Sequence, residues 1–211
     1  HVLLLAKDQR GYHNLLKLTS LGHTEGFYYR PRIDKELLER YHEGLVCTSA
    51  CLGGVVSAHF IDGNFDLARS EAQYYKDLFG DDFYLEIQNH GLEHDPLILD
   101  EVPALAKQLD IKLVATNDIH YMRQEHAYAH NLLLNIRDSA PGQANIKDLR
   151  YGTAEYYFKS SEQMIQLFGD YPDACKNTVE IADKCNVEID LKTLYMPEFP
   201  IPKTSQSTNL D

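Results

Sequence analysis

The sequence predicts an α/β fold, and three observations lead to that prediction. Short apolar runs alternate with longer amphipathic stretches, which is the pattern of strands covered by helices. The apolar runs are rich in Val, Leu, Ile and aromatic residues, and each leads into Gly, Asn or charged residues. A length of 211 residues with 44% hydrophobic content is enough to bury one sizeable core. We therefore expect one domain over residues 1–195, followed by a short extended segment.

The individual elements follow from the spacing of the apolar residues. Alternating or continuous apolar runs predict four strands, at 2–6, 45–49, 83–88 and 112–116. Stripes at helical spacing predict covering helices at 12–24, 34–41, 65–78, 100–109, 125–136, 161–167 and 172–185. Asp34 and Ser161 are the expected N-caps, because short polar side chains satisfy the first backbone N–H groups of a helix.

Two segments are predicted to lie outside the regular elements. Residues 138–148 contain Ser, Pro, Gly, Gln and Asn without periodicity, which is typical of an exposed loop. Three prolines between Met196 and Pro202 forbid a helix and favour extended polyproline conformation, so 196–211 is predicted to be a linker and a polar tail.

Composition excludes several classes of protein. No apolar run approaches the roughly 20 residues needed to cross a bilayer, so we expect a cytoplasmic protein without a membrane partner. The start lacks a secretory signal, although a chain that begins at His rather than Met is expected to have lost its N-terminus. Four cysteines are expected to be free thiols. A net charge of −12 argues against this chain holding a nucleic-acid backbone by itself.

Asp118 and His120 are the leading candidates for chemistry. They lie two residues apart just after the predicted strand at 112–116, so both side chains are expected to project to the same side. A carboxylate oxygen and an imidazole nitrogen placed in this way can share a metal ion. Alternatively, Asp118 caps the next helix and His120 binds a backbone carbonyl, which is the commoner outcome for an isolated D-x-H.

Other candidates follow or precede the remaining strands. Cys51 follows the strand at 45–49 and can offer a thiolate, although a lone Cys is usually buried filler. His1 begins the first strand, and His90 is either a turn residue or a neighbour of the site. His126 and His130 have the spacing of a helical metal pair, but no H-E-x-x-H is present and surface or capping roles are favoured. Phosphate-binding glycine loops and a G-x-S-x-G elbow are also absent.

Five segments, in order and spacing, resemble one family: HVLLLAK (1–7), EGFYY (25–29), SACLGG (49–54), ATNDIHY (115–121) and NTVEIA (177–182). The chain is similar, over nearly its whole length, to the PHP domain of bacterial DNA polymerase III alpha subunits. The resemblance implies a distorted seven-stranded β/α barrel, the PHP fold, whose strand ends hold divalent metals such as Zn or Mn. In some members this cluster supports a 3′–5′ proofreading exonuclease.

Carried over residue by residue, the resemblance makes His1, Cys51, Asp118 and His120 metal ligands, with His90 as a site neighbour. The family's opening H-x-H, the next Asp and His ligands and a later Glu are absent, and Val55 stands where Glu is common. The chain is therefore expected to be the C-terminal part of a PHP domain and to be catalytically silent alone.

The resemblance also implies a parent protein: a DNA-directed DNA polymerase of bacterial chromosome replication. Its palm, with the catalytic Mg ions, would follow the linker, so these residues are not expected to polymerise DNA. The implied partners are DNA, mostly through other domains, and other subunits of the replicative polymerase. Two alternatives remain: a non-catalytic scaffold that stabilises the polymerase and docks subunits, and a free-standing PHP phosphoesterase.

Overall fold

A computed structural model of the chain describes residues 1–138 and 149–197, with the side chain of residue 138 left out. It confirms the predicted α/β class. The strands are β1 (Leu3–Ala6), β2 (Leu45–Thr48), β3 (Phe83–Ile87) and β4 (Lys112–Ala115). The helices are α1 (Gln9–Thr24), α2 (Lys35–Tyr41), α3 (Ser57–Ile61), α4 (Phe65–Phe79), α5 (Asp95–Leu109), α6 (Ala127–Asp138), α7 (Ser161–Leu167) and α8 (Pro172–Lys184).

The four strands form one sheet in the order β1-β2-β3-β4. β1 pairs antiparallel with β2, whereas β2, β3 and β4 are mutually parallel. Each strand is one residue shorter than predicted, and all four predicted strands are present. The part of the chain that the structure describes contains this four-stranded sheet, and a seven-stranded barrel is not confirmed.

The strand directions bring four chain segments to one edge of the sheet. Parallel strands end at the same edge, so β2, β3 and β4 present their carboxyl ends together. Since β1 is antiparallel to β2 and Leu3 pairs with Thr48, β1 begins at that same edge. We call this the site edge.

Both faces of the sheet are covered, which explains why β3 is buried along its whole length. Phe83, Leu85 and Ile87 face the larger cluster, which includes side chains from α1 to α5. Tyr84 faces the opposite way, with Val46, Val114 and Ile181 of α8. The alternation follows from the two-residue period of a strand, and each buried Leu, Ile or Phe contributes about 1.5–3 kcal/mol.

The helix starts show where the predicted boundaries fail. Asp34 caps α2 as predicted, accepting from Leu37 N at 2.8 Å. The prediction of Ser161 as a cap is wrong, because Ser160 caps α7 in a reciprocal capping box with Gln163. α1 begins three residues before the predicted start, because Asp8 accepts from a first-turn backbone N–H.

Two further helical segments were underestimated. α5 begins at Asp95 rather than at residue 100, since Pro96 in a first turn costs no intrahelical hydrogen bond. The five-residue α3 was not predicted, because it is too short to show helical periodicity.

Some predictions fall outside the described residues. Of the predicted loop at 138–148, the structure describes Asp138, which ends α6. Of the predicted linker and tail at 196–211, it describes Met196 and Pro197, which have no regular structure. All four cysteines are free. None of the helices described here is long and apolar enough to span a membrane.

Candidate metal centre at the site edge

All five predicted site residues lie at the site edge. His1 precedes β1, Cys51 follows β2 and His90 follows β3. Asp118 and His120 both follow β4. Residues that are distant in sequence are therefore gathered by strand direction alone, at the edge where ligands collect in α/β proteins.

His1 and Cys51 form a first pair. Cys51 Sγ lies 3.7 Å from His1 Nε2. The His1 backbone carbonyl accepts from Val55 N at 3.1 Å, which fixes the chain beside the turn after β2. A Cβ at Gly53 would lie 3.0 Å from His1 Nε2, so the bare backbone of Gly53 leaves room for the ring. Thiolate sulfur and imidazole nitrogen are the ligands that zinc prefers.

Asp118 and His120 form a second pair. Asp118 adopts a left-handed conformation, φ +42°, which turns the chain sharply after β4. His120 Nδ1 donates to the Asp118 carbonyl oxygen at 2.6 Å, so its Nε2 keeps the lone pair that a metal requires. His120 therefore does bind a backbone carbonyl, which was the alternative role considered for it. This bond uses Nδ1 and leaves Nε2 available to a metal ion. Asp118 does not cap the next helical turn, whose N-cap is Arg123.

Asn117 fixes the position of this second pair. Its side-chain amide donates to the carbonyl oxygens of Glu155, at 3.1 Å, and Tyr157, at 2.7 Å. Its side-chain oxygen accepts from Lys159 Nζ at 3.1 Å. Asn117 is buried, and loss of these bonds would leave its polar groups unsatisfied. The end of β4 is therefore tied to the segment that runs through residues 155–159.

Tyr156 packs against His120 of the second pair. Its ring edge meets His120 with centroids 4.9 Å apart. Burial, followed by the charges of Asp118, Asp95 and Cys51, raises the pKa of Tyr156 to about 12. One residue of each pair, Asp118 and Cys51, thus acts electrostatically on this hydroxyl. Its phenol is protonated at neutral pH.

His90 is a buried neighbour of Tyr156 at the site edge. It is buried and stacks on Tyr156 with ring centroids 4.1 Å apart. Its Nε2 donates to the Asn117 carbonyl oxygen at 3.0 Å, and its backbone N–H donates to Asp95 Oδ2 at 2.7 Å. Both bonds hold the ring in place against Tyr156. Asp95 is buried as well, and its Oδ1 has no hydrogen-bond partner among residues 1–138 and 149–197.

His130 was not predicted to lie here. Its ring is 5.5 Å from that of His120 and is stacked on Tyr151 at 5.9 Å. Burial, then electrostatic interaction with His120 and Arg137, lowers the pKa of His130. No sequence signal could reveal Tyr156, which reaches the site edge through tertiary packing, whereas the spacing of His126 and His130 marked His130 as a possible ligand without indicating this location.

The two pairs do not merge into one cluster. Within residues 1–138 and 149–197, no group of three or more His, Cys, Asp or Glu side chains is arranged to hold a metal ion. The donor set of one sulfur, two imidazoles and one carboxylate suits Zn better than Mg. Assignment of these four residues as ligands stays a prediction.

Comparison with known proteins identifies the family. Residues 1–90 match the PHP domain. The DNA polymerase III alpha subunit of Borreliella burgdorferi is 43% identical over 203 residues, covering 96% of this chain and 18% of that protein. The chain belongs to the DNA polymerase III alpha subunit family.

Other relatives agree with this assignment. The alpha subunits of Campylobacter jejuni and Deinococcus radiodurans are 43% and 40% identical, covering 94% and 96% of the chain. The chain spans less than a fifth of these relatives' length, 17% and 16% respectively. Because these relatives cover 94% and 96% of the chain, the similarity extends well beyond residue 90.

Proposed function

We propose that this chain supplies part of a divalent-metal phosphodiesterase site within a DNA-directed DNA polymerase of bacterial chromosome replication. The reaction is hydrolysis of a DNA 3′ end, a 3′–5′ exonuclease activity. The observation that carries the proposal is that the His1–Cys51 and Asp118–His120 pairs both lie at the site edge, with Tyr156 packed against His120. The relatives' name, DNA polymerase III subunit alpha, supports the parent activity.

The residues of the site edge have distinct roles in this proposal. His1, Cys51, Asp118 and His120 would hold Zn or Mn, which when bound supplies an activated water and neutralises charge on phosphate. The His120 Nδ1 bond to the Asp118 carbonyl orients the imidazole so that Nε2 faces away from its own turn. Tyr156, protonated at neutral pH, donates a hydrogen bond to a phosphate oxygen.

Other properties of the parent are proposals of the same kind. Nucleotidyl transfer and its Mg ions belong to parts of the polymerase outside this chain. DNA is bound mostly by those parts, and other subunits of the replicative polymerase are partners, in the cytoplasm. The net charge of −12 is consistent with a minor share of the DNA contacts.

The first prediction tests ligation and turnover together. In the full-length protein, Asp118→Ala and His120→Ala should each weaken Zn or Mn binding about ten-fold or more, because each removes one donor. Hydrolysis of a labelled single-stranded 3′ end should fall in parallel. Bound metal is measured by elemental analysis after dialysis and by calorimetric titration.

The matched controls are Asp77→Ala and His13→Ala, exposed residues on α4 and α1 that lie away from the site edge. Both should bind metal and hydrolyse DNA as the wild type does. The proposal would be refuted if the wild type bound neither Zn nor Mn and if Asp118→Ala and His120→Ala hydrolysed DNA as well as the wild type does.

A non-catalytic scaffold is the second candidate. It is favoured by one observation: the four predicted ligands form two pairs rather than a group of three or more among the residues described. On this alternative, the site edge only stabilises the polymerase and docks subunits. The Asp118→Ala variant would then change metal content or thermal stability but leave hydrolysis untouched.

A further inference from the structure

The connection between α1 and α2 carries an unusual exposed surface. Phe27, Tyr28 and Tyr29 follow one another and are 59%, 63% and 84% exposed. Tyr28 and Tyr29 meet edge to face with ring centroids 4.6 Å apart. Together with Arg30 and Arg32 we call these residues the aromatic loop. Three consecutive large aromatic side chains in solvent are costly to display unless they contact something else.

Among the residues that the structure describes, the two arginines of the aromatic loop have no acidic partner. The Arg32 guanidinium lies 5.0 Å from the centre of the Tyr28 ring, and neither Arg30 nor Arg32 forms an ion pair within the described chain. By contrast, Arg40 of the adjacent helix pairs with Glu36. In a protein of net charge −12, two such unneutralised cations beside aromatic rings favour an anionic, planar partner.

The aromatic loop has a defined shape. A Cβ at Gly26 would lie 1.9 Å from the Arg32 carbonyl oxygen, so Gly26 permits the two ends of the loop to touch. Tyr28 N donates to the Arg30 carbonyl oxygen at 3.1 Å across the turn. Tyr29 sits at φ +59°, a conformation that non-glycine residues seldom adopt. A turn held in this way presents its rings with little further loss of conformational freedom on binding.

The aromatic loop also lies at the same end of the fold as the candidate metal centre. α1 starts beside Gly44, just before β2, where Gly11 packs on the Gly44 carbonyl. This is the edge opposite the site edge. α1 spans about 24 Å, and the His42 ring at the end of α2 lies 5.9 Å from that of Phe79, shortly before β3, so the α1–α2 connection lies towards the site-edge side of the fold. α2 then returns towards the start of β2.

We propose that the aromatic loop is a stacking platform for single-stranded DNA that leads a strand to the site edge. Aromatic faces next to unpaired arginines are the combination that single-strand binding proteins use, with bases stacked on rings and phosphates on guanidinium groups. The destination of the strand rests on the proposed function. The binding itself does not, because stacking on the aromatic loop needs no metal ion.

The test is a fluorescence anisotropy titration of labelled oligothymidylate with the full chain in EDTA. Tyr29→Ala and Phe27→Ala should each lower affinity about five-fold or more, the effect expected for loss of one stacked base. Arg30→Gln should weaken binding and reduce its dependence on salt, because one phosphate contact is lost. Ultraviolet crosslinking of the same oligonucleotide should map to residues 27–29 by mass spectrometry.

Matched controls separate this surface from general aromatic or cationic effects. Tyr195→Ala removes a ring that is 77% exposed outside the aromatic loop, and Arg10→Gln removes a cation at the opposite end of α1. Both should bind as the wild type does, and circular dichroism checks that every variant is folded. Loop variants that bind like the wild type, with crosslinks elsewhere, would overturn the proposal and leave the loop to a protein partner.

The two proposals fail in different ways. A wrong metal assignment would leave metal content unchanged in Asp118→Ala while the loop variants still lose affinity. A wrong stacking assignment would leave the loop variants unaffected while Asp118→Ala still loses metal.

Discussion

Gly11 is a residue at which one methyl group decides whether two elements can pack. A Cβ there would lie 1.8 Å from the Gly44 carbonyl oxygen, on backbone that cannot swing away. Alanine gains about 1 kcal/mol over glycine in helix propensity, but a clash of this kind costs about 1–3 kcal/mol or more. We expect Gly11→Ala to destabilise the chain by about 2 kcal/mol, measured by urea unfolding.

Gly169 provides the control for that substitution. A Cβ at Gly169 would be 3.6 Å from the Gln166 carbonyl oxygen, an ordinary contact, and its surroundings are exposed. Gly169→Ala should therefore change stability by less than about 0.5 kcal/mol. Equal urea midpoints for the two variants would contradict the steric explanation.

At the residue scale, sequence indicated the donors better than their surroundings. Asp118 and His120 could be proposed because their spacing and their place after a strand are local facts. The positions of Tyr156 and His130 beside His120 could not be predicted, since each depends on packing between distant segments. The orientation of His120, set by a bond to the Asp118 carbonyl, depends on a left-handed turn that spacing alone does not reveal.

Among the elements, α8 is joined to the sheet by hydrogen bonds and an ion pair of its residue Glu180. Lys112 Nζ donates to both Glu180 carboxylate oxygens, at 2.6 and 2.9 Å, and Tyr84 Oη donates to Oε1 at 2.7 Å. Lys184 Nζ lies 3.2 Å from the same oxygen. Hydrogen bonds from Lys112 and then Tyr84 lower the pKa of Glu180 from its ordinary 4.5 to about 2.

A pH-dependent loss of stability follows from this fastening. A depressed carboxyl pKa stabilises the folded state above the unfolded pKa, so the contribution of Glu180 is full above about pH 4.5 and disappears as pH falls towards about 2. Glu180→Gln should cost about 1 kcal/mol at pH 7, since the side chain is 33% exposed and solvent screens the pair. The urea midpoint of this variant should also fall less than that of the wild type as pH decreases from about 4.5 to about 2.

Glu188→Gln is the comparison for Glu180→Gln. Glu188 is exposed and forms no ion pair within the described residues. Its substitution should leave both the stability at pH 7 and the fall of the urea midpoint with decreasing pH unchanged. If the urea midpoint of Glu180→Gln fell with decreasing pH as steeply as that of the wild type, α8 would be held to the sheet by packing alone.

At the element scale, the type of each element was more predictable than its start. The four strands came within one residue of their observed bounds, because buried runs of Val, Leu, Ile and aromatics end at polar turns. The starts of α1 and α5 were missed, since caps and first-turn prolines extend a helix before its apolar stripe begins. The α2 cap succeeded because Asp34 immediately precedes the stripe.

The whole molecule should show graded local stability across the sheet. β2 and β3 are buried at every position and are paired on both sides, whereas β1 is an edge strand with Leu3 45% exposed. In hydrogen exchange followed by mass spectrometry, amides of β2 and β3 should exchange slowest. Residues 191–197, all exposed and without regular structure, should exchange fastest. Slower exchange in β1 than in β3 would contradict this order.

At this scale, the α/β class could be predicted because alternating strand and helix patterns extend along the whole chain. The antiparallel direction of β1 could not, since it depends on how α1 and α2 return the chain to β2. That single direction is what places His1 beside Cys51.

At the site edge, the side chains that stabilise the fold are different from those that are candidates for chemistry. Core side chains such as Leu85 and Val46 project from the faces of the sheet, while the candidate donors stand beyond the strand termini. Folding free energy and site chemistry therefore draw on different side chains. A substitution at one candidate donor should therefore leave the packing of the core unchanged, so the chemistry of the site edge can be altered separately from the architecture that carries it.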